Sequence, residues 1–205
     1  SWQVTKDIFV QRFDSNMNAL GSTIKVSDPA ETTQSKNVPS IAALPNGGAV
    51  VTWHSNNFDS PNSDGVFGQL LDAQGNRVGN TFQVNTRVLG DQTYSSVEAF
   101  NNNEFVVTWT HLNGTEKQIA GQIFNADGTK KGAEFVVVTG NSPSNPSVTV
   151  LKDNSFVVTW SELDGQGQPK IGRWQQFNSA GVALGAIKDI QTPIEVAPLV
   201  ARLVD

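Results

Sequence analysis

The chain has no cysteine, two histidines, one methionine and one tyrosine among its 205 residues. Without cysteine there can be no disulfide, no thiolate metal site and no cysteine nucleophile. Two imidazoles are too few for a well-built zinc centre, and no Ser-His-Asp ordering can be assembled. Charge is also sparse: charged residues make up 16% of the chain, with 14 Lys and Arg against 19 Asp and Glu, a net charge of −5. No basic run occurs, which removes the electrostatic footprint of phosphate-backbone binding, so neither nucleic acid nor an anionic membrane surface is an expected partner. Apolar runs stop at about four or five residues, far short of the roughly 20 that span a bilayer, so membrane insertion is not expected. No charged-then-apolar leader opens the chain, which reads as a processed product or an excised piece. Hydrophobic residues at 38% and low net charge describe a folded chain, read as a single domain over residues 1–205.

What the chain does have is repetition. Gly48–Trp53 (GAVVTW), Glu104–Trp109 (EFVVTW) and Ser155–Trp160 (SFVVTW) superimpose without gaps. Nine positions before each tryptophan ends another apolar segment: Pro39–Leu44, Ser95–Phe100 and Pro146–Leu151. After each tryptophan comes a segment with glutamine and then a turn, at Gly68–Gly75, Gly121–Gly128 and Trp174–Gly181, with a fourth copy at Val10–Asp14. A last segment follows Gly21, Gly79, Gly132 and Gly185: Ser22–Val26, Asn80–Val84, Ala133–Val137 and Ala186–Ile190. Each is short, rich in Val, Ile, Phe and Thr, and bounded by Gly, Asn, Asp or Pro, as strands are. Asx-Gly pairs at 46–47, 64–65, 113–114, 127–128 and 164–165 suit tight hairpins, because both residues tolerate positive φ.

No window carries a sustained 3.6-residue apolar period, so the class is all-β. Trp2, Trp53, Trp109 and Trp160 stand 51, 56 and 51 residues apart, which gives four repeats with boundaries near 39, 95, 146 and 198. Four-stranded tandem units of this length predict a β-propeller-like ring of four imperfect repeats with permuted ends, in which Leu199–Leu203 shares a sheet with Ile8–Phe13 or Trp2. A β-sandwich made from the same strands and a slice of a longer β-repeat array remain alternatives; in the second, the ends would pair with further copies of the repeat.

The run from Gly65 to Gly75 (GVFGQLLDAQG), followed by Gly79–Thr86 (GNTFQVNT) and Phe105–Trp109 (FVVTW), resembles the tandem repeats of large secreted bacterial surface proteins of the RTX and adhesin type. The resemblance spans nearly the whole chain and brings no catalytic motif. It implies a secreted or cell-surface setting and a non-enzymatic adhesion, recognition or scaffold role with a glycan or protein partner. The glycine- and aspartate-rich nonapeptide that binds calcium in RTX proteins is absent from the sequence.

Residues present in every repeat read as structural. Trp53, Trp109 and Trp160 should be buried between sheets with bonded indoles, and Gln11, Gln69, Gln122 and Gln175 should bond backbone across neighbouring strands or sheets. Departures from the repeat are the candidate ligand-binding residues. Arg173 and Trp174 replace small or apolar residues of the other copies, and such a pair can stack on a sugar or anchor a partner, or simply fill a gap at a rim. His54 and His111 follow the tryptophans of neighbouring repeats and would face one rim. Asp59 and Asp64 in the one enlarged loop are the candidate metal ligands, for calcium if any, although the EF-hand spacing is missing. The alternative function is a carbohydrate-active enzyme of the glycoside hydrolase kind, using loop carboxylates such as Glu162 and Asp164.

Overall fold

The Val-, Phe- and Thr-rich runs between the Asx-Gly turns all form antiparallel strands. The computed structural model describes residues 6–27, 36–56, 63–140 and 142–190. The first sheet contains β1 (Phe9–Phe13) and β2 (Ala19–Lys25). The second is a meander of β3 (Lys36–Ala43), β4 (Ala49–Asn56), β5 (Asp64–Leu71) and β6 (Arg77–Gln83). The third repeats it with β7 (Asp91–Ala99), β8 (Phe105–Asn113), β9 (Glu116–Phe124) and β10 (Lys130–Gly140). The fourth has β11 (Pro143–Val150), β12 (Phe156–Leu163), β13 (Pro169–Phe177) and β14 (Lys188–Asp189). Among the described residues there is no helix. The expected strand at Ala186–Ile190 is cut to the two residues of β14, and the expected closing pairs at Trp2 and Leu199–Leu203 lie outside the described residues.

Successive sheets stack face to face as propeller-like blades, with one apolar core at each junction rather than the single shared core of a sandwich. Ile8 and Val26 of blade one pack on Val51, Trp53 and Phe67 of blade two. Val50, Leu70 and Val84 of blade two meet Val107, Trp109 and Phe124 of blade three. Val106, Ile119 and Ile123 of blade three meet Val158, Trp160 and Phe177 of blade four. All three tryptophans are fully buried, and each belongs to the junction with the preceding blade. The inner strands are tied laterally in one phase: the Val97 N–H donates to Ser40 Oγ at 3.2 Å and the Val148 N–H to Ser96 Oγ at 3.1 Å.

Each blade fills one cross-strand position with a matched pair of sizes. Phe82 lies opposite Gly68 and Phe135 opposite Gly121; a Cβ on Gly68 would come within 2.5 Å of the Phe82 ring. Blade one uses Val10 and Ile24 instead, and blade four inverts the scheme, with Trp174 in the glycine position and Lys188 in the phenylalanine position. Lys188 Nζ sits 4.8 Å from the Trp174 ring centre, a cation–π contact. The glutamine series bonds backbone as expected: Gln69 Nε2 donates to the carbonyls of Leu70, Val78 and Gly79, and Gln122 Nε2 to those of Ile123, Lys131 and Gly132.

Each of the three described inner strands, β3, β7 and β11, carries a bulge that its sequence does not announce. Two residues of β3 face one of β4 between the pairs Asn37–His54 and Ser40–Thr52, and the same slip recurs at Thr93/Ser96 and Ser144/Ser147. Val38, Tyr94 and Asn145 occupy it at φ 48°, 55° and 54°. Positive φ is costly for a β-branched residue and cheap for asparagine. Val38→Asn is therefore expected to stabilise the protein by about 1 kcal/mol, raising the melting temperature by roughly 2–4 °C in a thermal scan; an unchanged or lower midpoint would show that Val38 is not strained.

Candidate functional site

Two of the bulges bring an inner strand against the blade before it. The Tyr94 ring lies 6.0 Å from the ring of His54, at 57°, and the Asn145 N–H donates to Thr110 Oγ1 at 3.2 Å. His54 and Thr110 both follow a buried tryptophan, so one contact recurs at two junctions. His54 is buried, and its Nδ1 has no hydrogen-bond partner among the described residues. Burial lowers its pKa below the usual 6.5, opposed by the nearby Asp64 and Asp91 carboxylates. Asp91 opens β7, and its Oδ1 accepts the Asp64 N–H at 3.1 Å, which joins blades two and three beside the histidine.

One residue on, Gln92 belongs to a second cluster. Asn85 Nδ2 donates to Gln92 Oε1 at 2.8 Å, leaving the Gln92 amide nitrogen to face the Gly90 carbonyl at 2.8 Å and His111 Nδ1 at 3.1 Å. This network assigns Nδ1 of His111 as acceptor and puts the proton on Nε2. His111 is buried and lines a cavity of about 410 Å³ with Thr86, Arg87, Leu89, Glu116 and Gln118. Arg87 Nη1 donates to Gln118 Oε1 at 2.9 Å, and its Nε lies 3.6 Å from Glu134 Oε1. Burial, then the Arg87 charge, lowers the His111 pKa, against the opposing pull of Glu134 and Glu116. The cavity thus combines an aliphatic wall, a neutral imidazole, a guanidinium and a carboxylate. That set can hold a hydroxylated ring by its apolar face and its oxygens.

Both histidines are lowered from 6.5, so the unfolded chain binds protons that the folded chain refuses. Their contribution to stability is complete above about pH 6.5 and shrinks as pH falls below it. Glu104, held down by Lys131, and Asp7, held down by Lys25, add stability that is present above about pH 4.5 and lost at lower pH. Thermal midpoints measured against pH should therefore fall in two steps, and His111→Gln should flatten the upper one; a single step below pH 5 would show that the imidazoles are not buried neutral.

The other expected site residues are engaged differently. His54 and His111 do not share a site but occupy two neighbouring ones, joined through Asp91 and Gln92. Arg173 Nε donates to Asp189 at 2.9 Å, and its Nη1 lies 3.4 Å from Glu162 Oε1. Glu162 also accepts the Trp160 indole at 3.1 Å and the Ser142 hydroxyl at 2.9 Å. Asp164 accepts the N–H groups of Gln166 and Gln168 in a turn. Glu162 and Asp164 thus both accept structural hydrogen bonds. The Trp53 indole has no partner among the described residues, unlike that of Trp160. Asp59 lies outside the described residues, and among the described residues no group of three His, Cys, Asp or Glu could hold a metal ion. Tyr94, Gln92, Asn85 and Arg87 carry no pattern in the sequence that would have singled them out.

No protein-family model and no curated protein matches the chain. Solved structures do. A GH43 β-1,3-galactosidase aligns over 84% of this chain and 37% of its own, with TM-score 0.56 at 15% identity. An exo-β-1,3-galactanase from Phanerochaete chrysosporium aligns over 92% and 44%, with TM-score 0.56 at 16% identity. An α-L-arabinofuranosidase from Fusarium graminearum aligns over 95% and 55%, with TM-score 0.54 at 12% identity. The chain thus spans about 37–55% of the length of these solved enzymes. These likenesses correct the resemblance to RTX and adhesin repeats, which rested on short Gly-, Asn- and Val-rich strings that any run of β-hairpins favours. The non-enzymatic adhesion or scaffold reading, which rested on the repeat architecture, the lack of cysteine and the acidic composition as well as that resemblance, is overturned by the same likenesses, as is the expectation that the chain is not an enzyme. What the chain shares with the three enzymes is their propeller-like β fold.

Proposed function

We propose that the chain is a carbohydrate-active module of the glycoside hydrolase kind, binding a glycan at the blade-three cavity. The observation that carries this reading is the roughly 410 Å³ cavity, in which the His111 Nε2–H, Arg87 and Glu116 surround one space beside an aliphatic wall. It is supported by the likeness in fold to a galactosidase, a galactanase and an arabinofuranosidase. His111 and Arg87 donate to sugar oxygens, and Val88 and Leu89 cover the C–H face. Glycoside hydrolysis needs two carboxylates, one giving a proton to the leaving oxygen and one serving as base or nucleophile. Glu116 is assigned the first part, and Asp91, one residue before the Gln92 that faces His111, the second.

Aryl β-galactosides and aryl α-L-arabinofuranosides are the substrates to try. Glu116→Gln and Asp91→Asn should each lower turnover by at least about 10²-fold, the lower range of general acid–base contributions, with unchanged melting temperature. No turnover on either substrate, or turnover indifferent to both variants, would overturn the assignment.

A further inference from the structure

In the glutamine series, the blade-three member points to a second ligand site. In blade two, Gln69 Oε1 accepts from Arg77 Nε at 3.1 Å, Arg77 Nη2 at 2.9 Å and Thr81 Oγ1 at 3.3 Å. In blade one, Gln11 Oε1 accepts from Thr23 at 3.0 Å. In blade three the equivalents of Arg77 and Thr81 are Lys130 and Glu134. Lys130 Nζ turns to the Asn85 carbonyl and the Thr86 hydroxyl, both at 3.0 Å, and Glu134 Oε2 accepts the Thr86 N–H at 2.9 Å. Gln122 Oε1 is left with no partner among the described residues, although the residue is only 1% exposed. The amide cannot be turned around to hide this, because its nitrogen already faces three backbone carbonyls. A buried carbonyl without a donor is costly, and this one borders a cavity of about 340 Å³ that Thr86, Arg87, Lys130 and Glu134 also line.

From this orphaned carbonyl and the side chains around it, we infer that the groove between Gln122, Lys130 and Glu134 is a binding subsite for a neutral polyhydroxylated ligand, a sugar ring. A hydroxyl group both donates and accepts. It can give its proton to Gln122 Oε1 or Glu134 and receive one from Lys130 or Arg87, which a purely cationic or purely anionic group cannot do. A guanidinium fills the equivalent place in blade two, but here two cations already line the cavity. Thr86 and Arg87 border both this groove and the His111 cavity, so one glycan can run across them. The choice of a sugar rests on the function proposed above, whereas the site itself rests on Gln122.

The test is NMR titration of the whole chain with D-galactose and, separately, L-arabinose at millimolar concentrations, following the Gln122 side-chain amide and the Thr86 and Lys130 backbone amides. One of the two sugars should shift all three. The double variant Lys130→Arg/Glu134→Thr rebuilds the blade-two arrangement and supplies Gln122 with a guanidinium; it should weaken the response at least about tenfold. If that variant does not fold, Lys130→Arg alone carries the same expectation. No response to either sugar, an unchanged response in the variant, or a response to L-arginine in place of the sugars would each overturn the inference. A response at Gln122 with no glycoside turnover would remove the hydrolase reading and leave this site standing. Turnover with no response at Gln122 would do the reverse.

Discussion

Replacing Trp109 with alanine should lower the unfolding free energy by about 3–5 kcal/mol, the usual cost of emptying a large buried aromatic site. At roughly 2–4 °C per kcal/mol for a chain of this size, the melting midpoint should fall by about 10 °C. Trp109 is fully buried and packs with Val50, Leu70 and Val84 of blade two as well as Phe124 of its own blade. The substitution therefore loosens a junction and not only a sheet. Trp174→Ala is the internal comparison: Trp174 is half-buried and held by Lys188, so its loss should cost clearly less. Equal losses for the two variants would mean that the junctions are not the seat of stability.

Gly90→Ala should be the most damaging small change near the candidate site. Gly90 has φ +81°, and an added Cβ would run into the Leu112 carbonyl, which is backbone and cannot rotate aside. The left-handed conformation alone costs an L-residue about 1–2 kcal/mol, and the collision adds to it. Relief requires moving the loop that carries Val88 and Leu89 and the Gly90 carbonyl, which accepts the Gln92 amide. That shift takes the Gln92–His111 contact with it. Gly90→Ala should therefore show a lower melting midpoint, a disturbed His111 imidazole resonance and loss of any glycoside turnover. A variant with the parent's midpoint and an unshifted His111 signal would show that the loop does not set the cavity.

The strands and their order were legible because each repeat writes the same apolar strings between Asx-Gly turns, and the tryptophan series marked the buried junctions. Trp174 was visible as an exception, but its partner Lys188 was not, since the size exchange acts between strands and leaves no local pattern. The bulges at Val38, Tyr94 and Asn145 were hidden for a plainer reason: valine and tyrosine give no sign of positive φ. The candidate site was legible only in fragments. His54 and His111 stood out by scarcity, yet what makes His111 a donor is Asn85 acting through Gln92, two amides with no distinguishing spacing. Gln122 looked like its three counterparts, and what sets it apart from Gln69 is the replacement of Arg77 and Thr81 by Lys130 and Glu134.

The blade junctions also have a direction in time. Trp53, Trp109 and Trp160, the bulge residues Tyr94 and Asn145, and the Val97 and Val148 N–H groups bonded to serine hydroxyls belong to the later blade and reach back to the earlier one. On the ribosome the earlier blade emerges first, so each new blade finds these acceptors already in place, whereas a few earlier-blade groups, such as the Asp64 and Asn46 N–H, gain their acceptors only when it arrives. Such a chain can assemble by stepwise addition, and its apolar strands spend little time unpaired, which is when β-rich chains are most prone to aggregate.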